Sequence, residues 1–361
     1  MKSLVKILTS LLFLIAIILI PVLNSEKNDI GTEKISAPDL GKVTVLDNKD
    51  ENYDLYKIEN DKLNSVGTMT GLKELVYNTE SSIYAYSMEI SKGNNLVHNF
   101  VQIMSKDKFK KLDDFYCASD LKLSPSGHRI AFRTFKDDSN QSAEGMRIYD
   151  IEQNKYVNLN SKVLVSGNLY EWLDDDHIVY YGTKEGIKDS SKIYIYNLKD
   201  KKESAYFDKI DGYYIYFKLI DNNLFIFSRQ TNGDNLYYYN FSNNTVKNIK
   251  SNVTSIYDSK FSEKNQELYF LGTEDNKYVN LYKFSPVSLN IDKITYDFPK
   301  SVNPASGIAE DNDGNIFFCG SNLEDQKNDK QDIFVYLKDK NCINLISDDK
   351  STYKLYNDEY N

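Results

Sequence analysis

A period of about 45 residues constrains the fold of this chain more than any other sequence feature. Seven short segments share a run of aromatic or aliphatic residues, and they end at Glu59, Ser105, Asp150, Asn197, Asn240, Ser285 and Leu337. Their third residues lie at positions 58, 104, 149, 196, 239, 284 and 336, so the steps range from 43 to 52 residues. A repeat this regular predicts an architecture that uses one supersecondary unit seven times.

Residues 121–159 show most clearly what one unit contains. A Ser-Pro-Ser-Gly turn signal at 124–127 separates two stretches in which apolar and polar residues alternate. A second alternating pair, within 146–159, surrounds the dipeptide Gln153-Asn154. Pro and Gly favour tight turns, and β-branched or aromatic residues in alternation favour half-buried strands. The unit is therefore predicted to be four antiparallel strands.

The number of strands predicts how the repeats close. Four-stranded units are expected at 72–115, 118–160, 168–205, 213–250, 256–295 and 306–347. The N-terminal unit has only three strands, Lys42–Asn48, Tyr53–Glu59 and Lys62–Thr68, and Thr352–Tyr356 supplies a fourth from the other end of the chain. Such closure removes the open sheet edge between the first and last units. We predict an all-β, seven-bladed β-propeller, with six blades and an N-terminal accessory piece as the alternative.

The unit at 121–159 resembles the repeat of TolB-like and WD-repeat-like bacterial β-propellers. The resemblance rests on the Ser-Pro-Ser-Gly turn, on Arg-Ile-Ala-Phe at 129–132 and on Ile-Tyr-Asp at 148–150, and it extends across 42–361. Elsewhere Asp and Asn turns replace the Ser-Pro turn, and TolB-like propellers have six blades. The resemblance implies the fold and a propensity to bind proteins, and it carries over no catalytic residue.

The N-terminal residues predict a membrane anchor. Lys2 and Lys6 precede an uncharged run from residue 7 to residue 25, which is just long enough for one transmembrane helix. The end of the run lacks the small residues of a signal-peptide cleavage site, so an anchor is favoured over secretion after cleavage. Lysines before the helix place the body outside the cytoplasm. The predicted organisation is an anchor at 1–25, a polar tether at 26–41 and the propeller at 42–361, in the cell membrane with a single pass.

Charge and cysteine content narrow the possible partners and cofactors. The formal net charge is −9 and there is no basic stripe, so we expect no nucleic-acid partner. The three cysteines form no CxxC pair, which argues against a zinc site or a disulfide framework and favours buried thiols. His177 follows three aspartates, and 311–315 is similar to the start of a calcium loop, but hairpin turns explain both. No metal and no cofactor are predicted.

Recognisable catalytic motifs are missing from the sequence. There is no G-x-S-x-G, and none of the three histidines has an evident nucleophile partner. Trp172, the single tryptophan, and the tyrosine-rich strands are expected to serve mainly the core. The predicted function is a non-catalytic module that binds a protein or an envelope polymer. A glycan enzyme with paired carboxylates at the channel mouth and a sensory ectodomain are the alternatives.

Binding is predicted on the face that carries the connections between second and third strands, opposite the Ser-Pro-Ser-Gly turn. Long loops on a rigid scaffold are where recognition residues usually lie. The two longest such connections are Lys136–Gly145 and Ser321–Gln331. The residues predicted to bind are Lys136, Asp137, Asp138, Asn140, Glu144, Asn322, Glu324, Asp325, Lys327 and Asp329.

Overall fold

The computed structural model describes residues 38–49, 52–105, 108–231, 233–274, 278–296, 298–322 and 330–359. The predicted anchor at 1–25 and all but the last four residues of the predicted tether lie outside these ranges. Within them, no helix is long and apolar enough to span a bilayer. The helices that the described residues do form are two single 3-10 turns, Asn140–Ser142 and Pro304–Ser306.

The first strands of the chain build three antiparallel sheets. Blade 1 takes Val43–Lys49 (β1), Asn52–Glu59 (β2) and Lys62–Thr70 (β3). Blade 2 contains Leu72–Asn78 (β4), Ile83–Lys92 (β5), Val97–Ser105 (β6) and Lys108–Leu112 (β7). Blade 3 contains Cys117–Leu123 (β8), Arg129–Phe135 (β9), Ala143–Asp150 (β10) and Lys155–Tyr156 (β11).

The next strands repeat the same order three times. Blade 4 contains Val163–Asp174 (β12), His177–Lys184 (β13), Lys192–Asn197 (β14) and Lys202–Phe207 (β15). Blade 5 contains Tyr213–Ile220 (β16), Asn223–Gln230 (β17), Gly233–Asn240 (β18) and Thr245–Ile249 (β19). Blade 6 contains Val253–Ser262 (β20), Glu267–Glu274 (β21), Val279–Phe284 (β22) and Ile291–Lys293 (β23).

Blade 7 has a broken inner strand, after which the chain returns to blade 1. The blade contains Ser301–Val302 (β24), Ile308–Glu310 (β25), Ile316–Ser321 (β26), Asp332–Leu337 (β27) and Cys342–Leu345 (β28). β24 and β25 both pair with β26, and the turn at Pro304–Ser306 separates them. Because proline has no N–H to donate, the inner strand is interrupted there, and the blade begins earlier than the predicted residue 306.

The last strand, Thr352–Asn357 (β29), closes the ring. It pairs antiparallel with β1, with Leu355 opposite Val45, and becomes the innermost strand of blade 1. The side chains of Tyr353 and Leu355 are buried, as an innermost strand requires. Seven blades closed by a C-terminal strand are therefore confirmed for the described residues, and the six-blade alternative is wrong.

The repeat found in the sequence corresponds to one position in every blade. All seven segments lie in the third strand of a blade, namely β2, β6, β10, β14, β18, β22 and β27. Tight turns join the strands, and the turn at 124–127 needs its glycine. Gly127 has φ 76°, and a Cβ on it would lie 2.7 Å from the hydroxyl of Ser81 in the neighbouring blade.

Large apolar side chains fill the spaces between neighbouring blades. Trp172 is buried between blades 3 and 4, and its indole N–H donates to the carbonyl of Lys122 at 3.0 Å. Its predicted core position is confirmed. The three thiols are free; Cys117 and Cys319 are buried, as predicted, whereas Cys342 on an outermost strand is half-buried.

Candidate binding site in the central channel

The innermost strands of the seven blades surround a central channel. β29, β4, β8, β12, β16, β20 and β25 contact one another in that order, and β25 contacts β29 to complete the ring. The channel holds a cavity of about 650 Å³ that all seven blades line. Cavities of this size are typical of sites for small ligands or short segments.

Five of the described lysines line the channel, and we call three of them, Lys122, Lys218 and Lys260, the lysine belt. Lys218 lies 2.9 Å and Lys122 lies 3.6 Å from the same carboxylate oxygen of Glu171. Lys260 makes no ion pair with any described residue. Burial alone would raise the pKa of Glu171, but the two ammonium groups outweigh it and hold that pKa below its usual range.

Three carboxyl groups of the channel wall join neighbouring blades, and we call Glu74, Glu171 and Asp258 the inter-blade carboxyls. Glu74 accepts the backbone N–H groups of Asp120 at 3.0 Å and Leu121 at 2.7 Å, from blade 2 to blade 3. Glu171 accepts the N–H of Leu219 at 3.4 Å, from blade 4 to blade 5. Asp258 accepts the N–H of Ile308 at 3.1 Å, from blade 6 to blade 7. The inner strands are thus fastened at alternate blade junctions.

The enclosed position of these groups changes their protonation. Burial raises the pKa of Glu74 to about 8, and the charge of Asp120 adds to the rise, although the two N–H bonds oppose it. Burial also raises the pKa of Asp258. Burial lowers the pKa of Lys354, which faces the same cavity. Near neutral pH Glu74 is therefore mainly a neutral acid, and the channel carries less negative charge than its carboxyl count indicates.

A turn that follows β29 brings one more carboxyl into the channel. The N–H of Asp358 donates to the carbonyl of Lys42 at 2.9 Å, and the N–H of Glu359 donates to the carbonyl of Tyr77 at 3.0 Å. These bonds hold the turn across blades 1 and 2, and Glu359 lines the cavity. Burial raises the pKa of Glu359, although Lys260, Lys218 and Lys122 all act to lower it.

One face of the ring carries most of the exposed large hydrophobic side chains. We call loop face the face that carries the second-to-third-strand connections and the connections from blade to blade. Eight of the twelve such side chains among the described residues lie on it or in the strand ends beside it: Ile90, Leu164, Ile187, Tyr213, Tyr257, Tyr278, Tyr296 and Phe298. Tyr257 also lines the channel. Exposed apolar side chains gathered on one face of a protein are typical of interaction sites.

The predicted binding residues that the structure describes lie on the loop face and do not line the channel cavity. Lys136 and Glu144 line a separate cavity of about 320 Å³, beside the rings of His98 and Tyr116, which stack at 4.7 Å. Glu144 belongs to β10 and not to a loop, since a bulge at its start lets the strand begin at Ala143. The predicted loop Lys136–Gly145 is therefore shorter than expected.

Asp138, another predicted binding residue, is bound within the protein. Its carboxylate accepts the N–H groups of Asn94 at 2.6 Å, Asn95 at 2.9 Å and Leu96 at 2.7 Å, and these bonds lower its pKa. Asp137, Asn140 and Asn322 are exposed on the loop face. The other four predicted residues, Glu324, Asp325, Lys327 and Asp329, lie outside the described residues.

The three aspartates before His177 point to different partners. Asp174 lies 2.9 Å from the ring Nδ1 of His177, and Asp175 accepts the N–H of Ser126 in the previous blade at 2.9 Å. Asp176 pairs with Lys199 at 2.5 Å. Within the part of the chain that the structure describes, no group of three or more His, Cys, Asp or Glu side chains could hold a metal ion.

The lysine belt was not predicted from the sequence, although the sequence contains a signal for it. Lys122, Lys218 and Lys260 each precede a hydrophobic residue near the end of an innermost strand. Once the ring is known, a charged residue at that position must face the channel, because neighbouring side chains on a strand point to opposite sides. Alternation alone does not say which of the two sides is the channel.

Comparisons with known proteins show the fold. No protein-family model and no curated protein match the sequence. The β-propeller domain of the Trilobed protease from Pyrococcus furiosus matches at 14% identity and a TM-score of 0.59, over 85% of this chain and 93% of that chain. That domain has an open velcro topology, whereas β29 closes the ring here.

Two further solved structures belong to the same comparison. Dipeptidyl peptidase 4 from Porphyromonas gingivalis matches at 14% identity and a TM-score of 0.53, over 86% of this chain and 52% of that chain, so this chain spans about half of that enzyme. TolB from Acinetobacter baumannii matches at 12% identity and a TM-score of 0.46, over 87% and 82%. The predicted resemblance to known β-propellers is confirmed at the level of the fold.

Proposed function

We propose that this chain is a membrane-tethered, extracytoplasmic β-propeller that binds a partner protein through its loop face and catalyses no reaction. The concentration of exposed tyrosine and aliphatic side chains on that face carries the proposal. Tyrosine is enriched at protein interfaces because it supplies a large contact area and loses little conformational entropy. An envelope polymer is the other ligand that such a face would accept, since sugar rings also stack on aromatic side chains.

The use of the channel carboxyls favours binding over catalysis. Glycosidic hydrolysis needs two carboxyl groups free to meet the substrate, one on each side of the bond. Glu74, Glu171 and Asp258 instead accept backbone N–H groups of the next blade. Asp120 pairs with Arg133 at 2.9 Å. The bonds that these carboxyl groups make within the protein are sufficient to explain their presence in the channel wall.

A glycan enzyme is the second candidate, and one observation favours it. Glu74 has a pKa raised to about 8 and lines the channel, which is the state and position that a general acid needs. Under this alternative Glu74→Gln abolishes turnover of a glycan. Under the binding role it changes stability alone.

Membrane attachment is part of the proposal and rests on the sequence. Lys2, Lys6 and the uncharged run at 7–25 support a single pass with the propeller outside the cytoplasm. The polar residues at 26–41 support a tether that leaves the propeller free to meet partners.

Capture experiments with two matched double variants test the proposed face. The full-length chain would be cross-linked in intact cells, and recovered partners would be quantified by mass spectrometry. Tyr257→Ser with Tyr278→Ser removes loop-face side chains that are 50% and 53% exposed. Phe109→Ser with Val287→Ser removes side chains that are 45% and 91% exposed elsewhere on the ring.

The two variants are expected to differ clearly. Loss of interface tyrosines costs about 2 kcal/mol or more at a hot spot, so recovery of the partner should fall at least tenfold in the loop-face variant. The control variant should recover the partner as well as the unmodified chain does. Equal recovery by both variants would refute binding through the loop face.

A further inference from the structure

Only part of the positive charge of the lysine belt is met by a carboxylate in direct contact. Among the described residues Glu171 is that carboxylate, and it contacts two of the three ammonium groups. Lys122 and Lys218 lie on the same oxygen of that carboxylate, and Lys260 has no ion pair among the described residues. The neighbouring Asp258 uses its carboxyl oxygens on the N–H groups of Ser259 and Ile308.

This positive site is enclosed within an acidic protein. The formal net charge of the chain is −9. An anion that approaches the outer surface is repelled, whereas the channel walls exclude part of the solvent and strengthen attraction at the belt. Such an arrangement favours a ligand that carries its negative charge on one small group, because that group can enter the channel.

Glu359 shows what kind of group the channel accommodates. It is a carboxylate carried on a peptide turn, and backbone bonds from residues 358 and 359 to blades 1 and 2 hold that turn at the channel. No described lysine lies within ion-pair distance of it. The burial that raises its pKa means that the belt attracts this carboxylate from a distance without fully stabilising it.

Resting on the binding role proposed above, we infer that the channel takes an acidic segment of the partner protein, one carboxylate of which contacts Lys260 and the rest of the lysine belt and displaces Glu359. A cavity of about 650 Å³ has room for a few side chains and not for a folded domain. Tyr257, an exposed tyrosine, lines the same cavity and contacts the flanking part of the same segment.

Fluorescence anisotropy of a labelled tetraglutamate peptide with the full-length protein in detergent tests this assignment. Lys260→Gln removes one belt charge, and Glu359→Gln removes the competing carboxylate. Lys110→Gln, on the outermost strand of blade 2, is the matched control because Lys110 is exposed and distant from the channel. Unlabelled tetraglutamine and inorganic phosphate serve as competitors, and thermal melting checks that each variant is folded.

The expected results follow from the charges. Lys260→Gln should weaken tetraglutamate binding about tenfold or more, since a charge-assisted hydrogen bond is lost. Glu359→Gln should strengthen it several-fold, and Lys110→Gln should leave it unchanged. Should Lys260→Gln fail to fold, the strengthening by Glu359→Gln decides.

Three results would overturn the inference. These are equal affinity of the folded Lys260→Gln variant, unchanged or weaker binding to Glu359→Gln, and competition by tetraglutamine or phosphate as efficient as by unlabelled tetraglutamate. Each of them leaves the proposed loop-face function standing if the tyrosine variant still loses its partner. Conversely, a tyrosine variant that keeps its partner refutes the proposed function even when the belt binds tetraglutamate.

Discussion

Replacing Glu74 by glutamine removes the ionisable group of an inter-blade carboxyl and keeps nearly the same shape. The glutamine side chain has nearly the same size, and its carbonyl oxygen can still accept the N–H of Leu121. Its amide nitrogen cannot accept the N–H of Asp120, and it cannot ionise. The substitution therefore weakens the junction between blades 2 and 3, and it also removes an ionisable group from the channel.

The size of the effect follows from the pKa of Glu74. Its ordinary value is 4.5, and in the folded protein it is raised to about 8. Since a tenfold change in a dissociation constant is worth about 1.4 kcal/mol, the largest possible contribution to the free energy of unfolding is about 5 kcal/mol. Glu74 is half-buried and lines the channel cavity, where solvent would screen its charge, so we expect about 2 to 3 kcal/mol.

The sign of the pKa shift determines how the stabilising contribution of Glu74 depends on pH. The folded state holds the proton more tightly than the unfolded state does. The contribution is fully present below pH 4.5 and is lost as the pH rises toward 8. Glu74→Gln has no such contribution, so the advantage of the unmodified chain should be largest at pH 5 and should shrink by pH 8.5.

Chemical unfolding followed by tryptophan fluorescence measures this difference. Trp172 is the single tryptophan and is buried next to blade 3, which the Glu74 carboxyl contacts. Stabilities of both proteins would be compared at pH 5, 6.5 and 8.5, with the exposed Glu80→Gln as control. Titrating groups that do not interact with Glu74 are common to both proteins and cancel in the comparison. A stability difference that stays constant from pH 5 to pH 8.5 would refute the reasoning.

Three further perturbations have definite expected outcomes. Deleting 351–361 removes β29 and exposes the edge of β1, so the protein should associate, and light scattering that finds a monomer would contradict this. Asp138→Asn replaces a charged acceptor of three N–H groups, so amide exchange at 94–96 should quicken; unchanged exchange would count against the contact. Replacing Lys2 and Lys6 by Glu should reduce the fraction of propellers that added protease reaches in intact cells, and an unchanged fraction would show that other features set the orientation.

The blades could be predicted from the sequence because their signals are local. Each third strand carries its own aromatic pattern, and the tight turns are rich in Asp, Asn, Gly and Pro. The pairing of β29 with β1 joins residues about 300 positions apart, yet a count of strands was enough to predict it, since every other unit has four.

The channel could not be predicted because its residues meet only after the ring has closed. Bulges near Asp120 and near Asp258 shift which side chains point inward, and alternation by itself gives no sign of them. Another bulge places Glu144 in β10 where a loop was expected. Glu359 lines the channel from a turn that belongs to no repeat, so no periodic pattern includes it.

The pairing of β29 with β1 has a consequence for the order of events during biosynthesis. β1 leaves the ribosome among the first strands, but its innermost partner is translated after all six other blades. Until then the nascent chain carries an unpaired strand edge, which is a template for wrong pairing. Chaperone protection of β1 during translation would therefore have to last until β29 has emerged.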